Sequence, residues 1–272
     1  MDLKSYLSER QAIINKALER YLPEARQSPE PIHEAMRYSV LGKGKRIRPI
    51  LVLAACQAVG GKVSQALPSA CAMEMIHAYS LVHDDLPAMD DDDFRRGKPS
   101  THKRFGEAIG VLTGDALLTY SFELLTRGNH DPSMRVKVIQ QVAQAIGTQG
   151  MIGGQVADIK AEKGIDPEEI EYINTRKTGA LIAACVRMGA LLGGATPIRY
   201  RALSLYGDRM GLVFQLVDDL LDNDGSVKIS GAESIRQRAQ RLTRSAQAVL
   251  DPLGSRAEPL KSLAQFILTR GS

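Results

Sequence analysis

An aspartate-rich run is the part of this sequence whose residue types are best suited to chemistry. The run spans His83–Asp93, follows an apolar stretch from Ala72 to Val82, and is followed closely by Arg95 and Arg96. Most acidic runs are solvated surface, but the apolar stretch before this one predicts a buried helix that leads into it. Carboxylates beside guanidinium groups are the partners that a metal cation and a diphosphate anion would need.

Spacing within this run requires a break in the helix. Asp84 and Asp90 are six residues apart and would diverge by about 120° on a regular helix. Pro87 cannot continue the helical hydrogen-bond ladder. We therefore expect the segment around Pro87 to loop out and to return Asp90 to the side of Asp84.

A second acidic motif, Asp218-Asp219-Leu220-Leu221-Asp222, ends another apolar stretch. Asp218 and Asp222 are one helical turn apart, so their like charges destabilise a bare helix. A divalent cation removes this penalty, and carboxylate oxygens with open coordination positions suit Mg²⁺. The loop pattern of an EF-hand is absent from the sequence. The predicted metal ligands are Asp84, Asp85, Asp90, Asp218 and Asp222.

The composition favours helices as the elements that carry both motifs. Hydrophobic residues make up 44% of the 272 residues, Trp is absent, and aromatic residues make up only 5%, which favours helix over sheet. No segment shows sustained two-residue alternation, so no strand is predicted. We expect an all-α protein of about ten helices that form one domain over residues 1–272.

Charge and cysteine content restrict the class of protein further. The net charge of +4 is too small an excess to predict nucleic-acid binding. Three cysteines in apolar surroundings predict buried free thiols in a reducing compartment. The first ten residues lack the apolar core of a signal peptide, and the uncharged stretch Val138–Ala157 is too rich in Gln and Gly for a membrane span. A cytoplasmic protein is therefore expected.

Proline and glycine predict where several helices begin and end. Pro31 and Pro49 suit the first turn of a helix, and Asp166-Pro167 reads as another helix start. Three glycine-containing pairs are predicted helix ends: Gly60-Gly61, Gly128-Asn129 and Gly193-Gly194.

Other polar motifs have both a functional and a structural interpretation. In the basic segment Gly42–Pro49, Lys45 and Arg48 are three residues apart and can converge on one diphosphate, although such segments are often solvated surface. His77 is more often a buried core histidine than a ligand. Lys177 precedes Thr178 in what is otherwise a polar break between helices.

Together these motifs resemble the short-chain, bacterial-type trans-prenyltransferases of the isoprenoid synthase fold, among them the farnesyl diphosphate synthases. The resemblance extends from about Glu34 to Asp222. It rests on the two Asp motifs and on these segments: Gly42–Pro49, His77-Ala78-Tyr79-Ser80, Arg95-Arg96-Gly97, Gly153-Gly154-Gln155, Lys177-Thr178-Gly179 and Phe214-Gln215. The resemblance implies an all-helical homodimer with a central cavity, an Asp motif on each of two facing walls, and a trinuclear Mg²⁺ site.

The resemblance also implies a role for each motif residue. Residues that would bind isopentenyl diphosphate are Lys45, Arg48, His77 and Arg96. Residues that would act on the allylic diphosphate, directly or through Mg²⁺, are Asp84, Asp90, Arg95, Lys177 and Asp218. The Thr178 backbone and Gln215 would place partial negative charge near the carbocation. For Gln155, substrate binding and a helix contact are equally supported.

These roles imply head-to-tail condensation of isopentenyl diphosphate with dimethylallyl or geranyl diphosphate to give farnesyl diphosphate. Tyr79, with small Ser80 beside it, would form the floor at which the chain stops growing, although Tyr79 is also interpretable as a core aromatic. The alternatives are a geranylgeranyl diphosphate synthase, a class I terpene cyclase, and a catalytically silent helical subunit that modulates an active partner. No nucleic-acid or membrane partner is expected.

One segment departs from the family pattern. Relatives usually follow the second Asp motif with a long loop that contains a further lysine for the allylic diphosphate, whereas here only eight residues join Asp222 to Gly231. Two interpretations stay open: a true deletion, which would affect closure of the active site, or a mobile loop that is missing from the printed sequence. We favour the second because such loops often act as lids. Lys228 is not assumed to replace the missing lysine.

Overall fold

The computed structural model describes residues 2–161, 172–173, 175–223 and 225–270, and most of these are helical. The predicted all-α class is confirmed. In chain order the helices are α1 Leu3–Tyr21, α2 Glu30–Val40, α3 Ile47–Ala58, α4 Val63–Asp84, α5 Thr101–Phe105, α6 Glu107–Thr126, α7 Pro132–Ile146, α8 Met151–Ala161, a π-helical segment Thr175–Gly179, α9 Ala180–Leu192, α10 Pro197–Asp222, α11 Ser226–Ser230, α12 Ala232–Ala248, a 3₁₀ segment Asp251–Ala257 and α13 Glu258–Thr269.

Helix boundaries follow the proline and glycine signals. Pro31 lies in the first turn of α2, and Pro49 is the third residue of α3. Gly60, Gly128 and Gly194 follow the ends of α3, α6 and α9 with φ of 103°, 112° and 77°. L-residues rarely adopt these angles. The predicted helix start at Asp166 lies outside the described residues.

A short β-hairpin lies between α4 and α5. Strand β1 (Phe94–Arg95) pairs antiparallel with strand β2 (Lys98–Pro99), with Arg95 opposite Lys98. The two residues between the strands, Arg96 and Gly97, have φ of 55° and 75°, as in the type I′ turn that suits two-residue hairpins. The prediction of no strand was wrong here, because two residues per strand are too few to show alternation.

The chain divides into two compact units, each described by itself below. One unit comprises Met1–Tyr6, Leu51–Ala66 and His130–Ser272, and the other comprises Leu7–Ile50 and Leu67–Asn129. We call them the C-terminal unit and the N-terminal unit. The single domain over residues 1–272 stays a prediction.

Small residues bring the helices of the C-terminal unit close together. A Cβ at Gly211 of α10 would lie 2.8 Å from the Gly179 Cα, and one at Gly207 would lie 3.1 Å from the Ala183 Cα. Beside these contacts, the Tyr206 side chain is fully buried and its hydroxyl donates to the Leu260 carbonyl at 2.7 Å. The packing therefore fixes α10, which carries the second Asp motif, against α9 and α13.

In the N-terminal unit, α6 packs directly on the last turns of α4. A Cβ at Gly114 would lie 2.0 Å from His83 Nε2, and that nitrogen lies 3.0 Å from the Val111 carbonyl oxygen. Among the described residues, α6 is the one helix long and apolar enough to cross a membrane by length and composition alone.

The cysteine prediction is confirmed in both respects that the structure tests. Cys56, Cys71 and Cys185 are buried, and none forms a disulfide. Burial raises the pKa of the Cys56 thiol to about 11 and that of Cys71 to about 12. These thiols are therefore packing residues and poor nucleophiles.

Candidate active site

The first Asp motif forms the loop that the position of Pro87 predicts. Helix α4 ends at Asp84, and the Asp90 amide donates to the Asp84 carbonyl at 2.9 Å. Between them, the Met89 amide donates to the Leu86 carbonyl at 2.9 Å, which closes a tight turn around Pro87. The predicted return of Asp90 to Asp84 is confirmed for the backbone. Asp84 is half-buried and Asp90 is exposed.

Asp85, the residue after the end of α4, contacts Arg95 of the hairpin. Its side chain is buried, and its Oδ1 accepts a hydrogen bond from Arg95 Nε at 2.8 Å. The Arg95 guanidinium also donates to Asp92 Oδ2 at 2.6 Å. Burial raises the pKa of Asp85 despite the hydrogen bond from Arg95. Asp85 therefore holds Arg95 through its Oδ1 atom, and its assignment as a metal ligand stays a prediction.

A small cavity of about 50 Å³ lies in the N-terminal unit, between the basic segment, α4 and the hairpin. His77 and Arg96, two of the residues predicted to bind isopentenyl diphosphate, line it. Lys45 and Arg48 are not among the lining residues; Lys45 is exposed and Arg48 is half-buried. The charged lining residues are Lys43, Arg46, Arg95, Arg96, Lys98, Glu74 and Asp85.

Arg46 of the basic segment is a buried anchor. Its Nη1 forms an ion pair with Glu74 at 2.5 Å, and both side chains are almost fully buried. Its other donors reach Asn15 Oδ1 at 2.9 Å and the Val40 and Gly42 carbonyls at 2.8 and 2.9 Å. Arg46 itself has φ of 53°, so the backbone takes an unusual conformation where this anchor lies. Sequence reasoning missed Glu74, because its partner is 28 residues away.

His77 lies on the cavity wall close enough to several arginines to be affected by their charge. Burial lowers its pKa well below 6.5, and the positive charges of Arg48 and Arg96 lower it further. This shift indicates that His77 is neutral in the protein without an anion. It also indicates that Arg48 and Arg96 act on the same region, as expected for a site that binds an anion.

Tyr79 and Ser80 lie one turn before the end of α4. Tyr79 is buried and packs edge-to-face on His83, with ring centroids 5.9 Å apart. Burial and the nearby Asp84 raise the pKa of Tyr79 to about 12. Ser80 is half-buried and donates to the His77 carbonyl at 3.0 Å. The Tyr79 ring therefore lies on the same side of α4 as His83.

In the C-terminal unit, glycines on two neighbouring helices enclose the segment that carries Lys177. A Cβ at Gly154 of α8 would lie 2.2 Å from the Lys177 amide nitrogen, and Gly211 of α10 approaches Gly179. Lys177 and Thr178 are in the π-helical segment, a distortion often found at functional sites. The Lys177 ammonium donates to Asp158 Oδ2 at 2.5 Å. Within the same unit, Gln155 Nε2 is buried with no hydrogen-bond partner among the described residues.

The three aspartates of the second Asp motif have distinct surroundings. Asp218 forms an ion pair at 2.5 Å with Arg270, the residue that follows the end of α13. Asp219 is buried and accepts hydrogen bonds from Gln215 Nε2 at 2.9 Å and from the Ser226 amide at 3.0 Å. Asp222, the last residue of α10, is exposed. Sequence reasoning missed Asp219 and Arg270, since nothing in the motif shows which carboxylate points inward.

A short helix makes the connection after the second Asp motif. Asn223 ends α10 with φ of 52°, and α11 begins three residues later at Ser226. Val227 of α11 is buried against Leu216 and Ile235. The short segment therefore packs on the same helices that it joins.

The exposed and half-buried carboxylates suit magnesium by their chemistry. Asp84 ends α4, Asp90 lies in the loop after it, and Asp218 and Asp222 lie in the last turns of α10, and all four supply hard oxygen donors. Among the described residues, no group of three or more His, Cys, Asp or Glu side chains is arranged to hold an ion. Mg²⁺ usually takes one or two carboxylates and completes its coordination with water and substrate phosphates. The residues present fit that mode of binding.

These observations define the class: an all-helical protein with an Asp motif at the ends of two long helices and a cationic cavity suited to a diphosphate. The model of the polyprenyl synthetase family matches residues 29–235, and the chain belongs to this family. It is therefore a member of a prenyltransferase family of isoprenoid biosynthesis, whose substrates are isopentenyl and allylic diphosphates.

Individual relatives agree on the fold and differ in the product they are named for. An FPP/GFPP synthase from Zymomonas mobilis has a solved structure with a TM-score of 0.93 and 39% identity, covering 98% of this chain and 99% of that one. The shared fold is the isoprenoid synthase fold. A farnesyl diphosphate synthase from Geobacillus stearothermophilus is 45% identical over 230 residues, which is 83% of this chain and 77% of the relative.

A third relative is the chloroplastic large subunit 1 of heterodimeric geranylgeranyl pyrophosphate synthase from Arabidopsis thaliana. It is 43% identical over 298 residues, covering 99% of this chain and 80% of the relative. That alignment is longer than the 272 residues of the chain, so the relative contains segments with no counterpart here.

The first prediction concerns the pH dependence of stability. Because the pKa of His77 is lowered in the folded protein, the unfolded state binds more protons below about pH 6.5. We expect the free energy of unfolding to fall as the pH is lowered through this range, and to fall less in His77→Gln. Urea denaturation at about pH 7.5 and about pH 5.5 measures this. An identical loss in both proteins would contradict the placement of His77.

Proposed function

We propose that this chain is a farnesyl diphosphate synthase, which condenses isopentenyl diphosphate head to tail with dimethylallyl or geranyl diphosphate. The observation that carries the proposal is the cationic cavity. Its wall includes Asp85 and Arg95, and Asp85 directly follows Asp84, the end of the helix that carries the metal-binding motif. Cations for an anionic substrate thus lie beside carboxylates that suit a metal ion.

Different residues bind the two diphosphate substrates. Arg96, His77, Lys45 and Arg48 bind isopentenyl diphosphate. Asp84, Asp90, Asp218 and Asp222 would hold the Mg²⁺ ions, and bound Mg²⁺ would supply positive charge to stabilise the departing diphosphate.

Arg95 and Lys177 orient the allylic diphosphate. The substrate replaces Asp158 as the partner of Lys177, and the pair with Asp85 keeps Arg95 in position. The Thr178 backbone and the Gln215 side chain place partial negative charge near the allylic cation, and the released diphosphate takes the proton that is lost. No general base from the protein is needed.

Geranylgeranyl diphosphate synthase is the second candidate, because relatives with that name are also more than 40% identical to this chain. The buried Tyr79 ring supports the shorter product. It lies on α4 five residues before Asp84, where a growing prenyl tail attached at that motif would have to pass. The volume of an aromatic ring there limits the tail.

Incubation with Mg²⁺, isopentenyl diphosphate and each allylic primer, followed by sizing of the products, tests the proposal. We expect farnesyl diphosphate as the end product even with excess isopentenyl diphosphate. A twenty-carbon product would favour the second candidate. No product with any primer would favour a silent subunit.

The second prediction concerns chain length. Tyr79→Ala removes a buried ring and opens space beside His83. We expect products to shift from farnesyl towards geranylgeranyl diphosphate or longer, measured by chromatography of the dephosphorylated prenols. His130→Ala, in the C-terminal unit, is the control and should leave product length unchanged. An unchanged distribution in folded, active Tyr79→Ala would rule out the floor.

The third prediction separates metal binding from stability at the two Asp motifs. Asp84→Ala and Asp218→Ala should each lower kcat by roughly a thousandfold, because each removes a carboxylate that holds Mg²⁺. Asp218→Ala should also lower the Tm, since it leaves the Arg270 guanidinium, 11% exposed, without the carboxylate that it is paired with. Steady-state kinetics and thermal unfolding measure the two effects. Near-normal kcat in both variants would refute the metal assignment.

We also propose a homodimer in the cytoplasm, where the buried thiols would stay reduced. The apolar helix α6 supports the dimer, because Val111 is 43% and Leu112 is 53% exposed. A second copy of the chain would cover this face.

The fourth prediction is that Leu112→Glu lowers the mass in analytical ultracentrifugation from that of a dimer to that of a monomer. A monomeric wild-type protein would contradict the dimer.

A further inference from the structure

The basic residues of the cavity fall into two groups by their partners. Arg46 is neutralised by Glu74, and Arg95 by Asp85 and Asp92. The other three, Lys43, Arg96 and Lys98, form no ion pair with a described carboxylate, although Glu74 acts on Arg96 electrostatically. Two of these three, Lys43 and Lys98, are absent from the roles implied by family resemblance.

Lys98 is placed by the hairpin and by an aromatic ring. It lies opposite Arg95 in the strand pair, directly after the Arg96-Gly97 turn. Its ammonium is 5.0 Å from the centroid of the Tyr38 ring, and the Tyr38 hydroxyl donates to the Pro99 carbonyl at 2.7 Å. Tyr38 thus holds the second strand and gives the Lys98 ammonium a cation–π contact.

The same ammonium also reaches the basic segment. A Cβ built at Gly42 would lie 3.6 Å from Lys98 Nζ, and Lys43 is the next residue in the chain. Both lysines line the cavity, and both are exposed. Their ammonium groups are therefore free to turn onto a ligand without breaking an ion pair with a described residue.

The electrostatics of the cavity favour an anion with several charges. The charged lining residues comprise five cations and two carboxylates, and Arg96, Arg46 and Arg95 among them act electrostatically on His77, whose pKa is lowered mainly by burial. Uncompensated cations around a narrow, partly desolvated cavity repel one another until an anion enters. A diphosphate, with its several negative oxygens, matches such a site better than a monoanion.

We propose that Lys43 and Lys98 bind the diphosphate of the isopentenyl substrate, in addition to the residues implied by the family motifs. Lys98 approaches the diphosphate from the hairpin and Lys43 from the basic segment, so the two lysines enclose the open side of the cavity. This inference rests on the proposed function for the identity of the substrate. The anion site itself rests only on the geometry and charge described above.

The first experiment measures anion binding without catalysis. Inorganic pyrophosphate is titrated calorimetrically into wild type, Lys43→Gln, Lys98→Gln and the double variant, with no Mg²⁺ present. Each single variant should raise the Kd about fivefold, as expected for one charge-assisted contact at a partly exposed site. The double variant should raise it further and show a weaker dependence on salt.

A matched control removes a lysine that does not line the cavity. Lys16, an exposed residue of α1 in the same unit, is replaced in Lys16→Gln, which changes the net charge equally. Its Kd for pyrophosphate should stay within twofold of wild type. If all three lysine variants weaken binding equally, the effect is one of net charge, and the proposal is overturned.

The second experiment identifies the substrate. In steady-state assays, Lys43→Gln and Lys98→Gln should raise the KM for isopentenyl diphosphate and leave the KM for the allylic primer and kcat within about twofold. A larger effect on the primer, or an unchanged Kd and KM in the double variant, would overturn the proposal. If wild type binds pyrophosphate and the variants bind it less, but no prenyl transfer occurs, the proposed function fails and the anion site stands.

Discussion

The ion pair between Arg95 and Asp85 is the interaction on which the organisation of the N-terminal unit depends. It joins the β-hairpin to the end of α4, because Asp85 immediately follows that helix and Arg95 lies in the first strand. Two nitrogens of the partly buried Arg95 guanidinium, Nε and Nη2, donate to the same carboxylate oxygen, Asp85 Oδ1, which restricts the geometry of the contact. It therefore fixes where the hairpin lies, and with it the positions of Arg96 and Lys98 on the cavity wall.

The cations of this unit differ in how far their charge is neutralised by neighbouring carboxylates. The buried Arg46 satisfies its donors with Glu74, Asn15 and backbone carbonyls, which makes it an anchor for the basic segment. Breaking such a buried pair leaves an uncompensated charge and is costly. Lys43, Arg96 and Lys98, which form no ion pair with a described carboxylate, line the cavity, and binding of an anion there would relieve their repulsion. The uncompensated positive charge of this unit therefore lies at the cavity, where a diphosphate would bind.

In the C-terminal unit, close packing of backbones positions the segment that carries Lys177. Lys177 lies in a π-helical segment enclosed by α8 and α10, and the backbone approach at Gly154 and Gly211 leaves no room for a Cβ. Close packing of this kind restricts the backbone beside Lys177 and Thr178. Asp218 and Lys177 both have opposite charges as partners, Arg270 and Asp158. If the two side chains act as proposed, a metal ion would replace Arg270 at Asp218, and the allylic diphosphate would replace Asp158 at Lys177.

Part of this structure can be predicted from the sequence because it is determined by interactions between residues that are close together in the chain. Helical composition, proline in first turns and glycine after helix ends depend on neighbouring residues only, and those predictions are confirmed. The loop at Pro87 is also local: proline cannot continue the ladder, so Asp90 returns to Asp84. The family could be inferred from motifs for the same reason, since each motif is contiguous.

The tertiary structure determines which charged side chains form ion pairs with each other. Asp84 and Asp85 are neighbours in sequence, yet one is half-buried at the loop and the other is buried under Arg95. Glu74 and Arg270 gain their roles from partners 28 and 52 residues away, a separation that no local pattern records. The two-residue strands are too short to show a pattern, yet they bring Lys98 to the cavity. The sequence alone determined helix and motif chemistry, because these depend on near neighbours, whereas burial and long-range pairing required the fold.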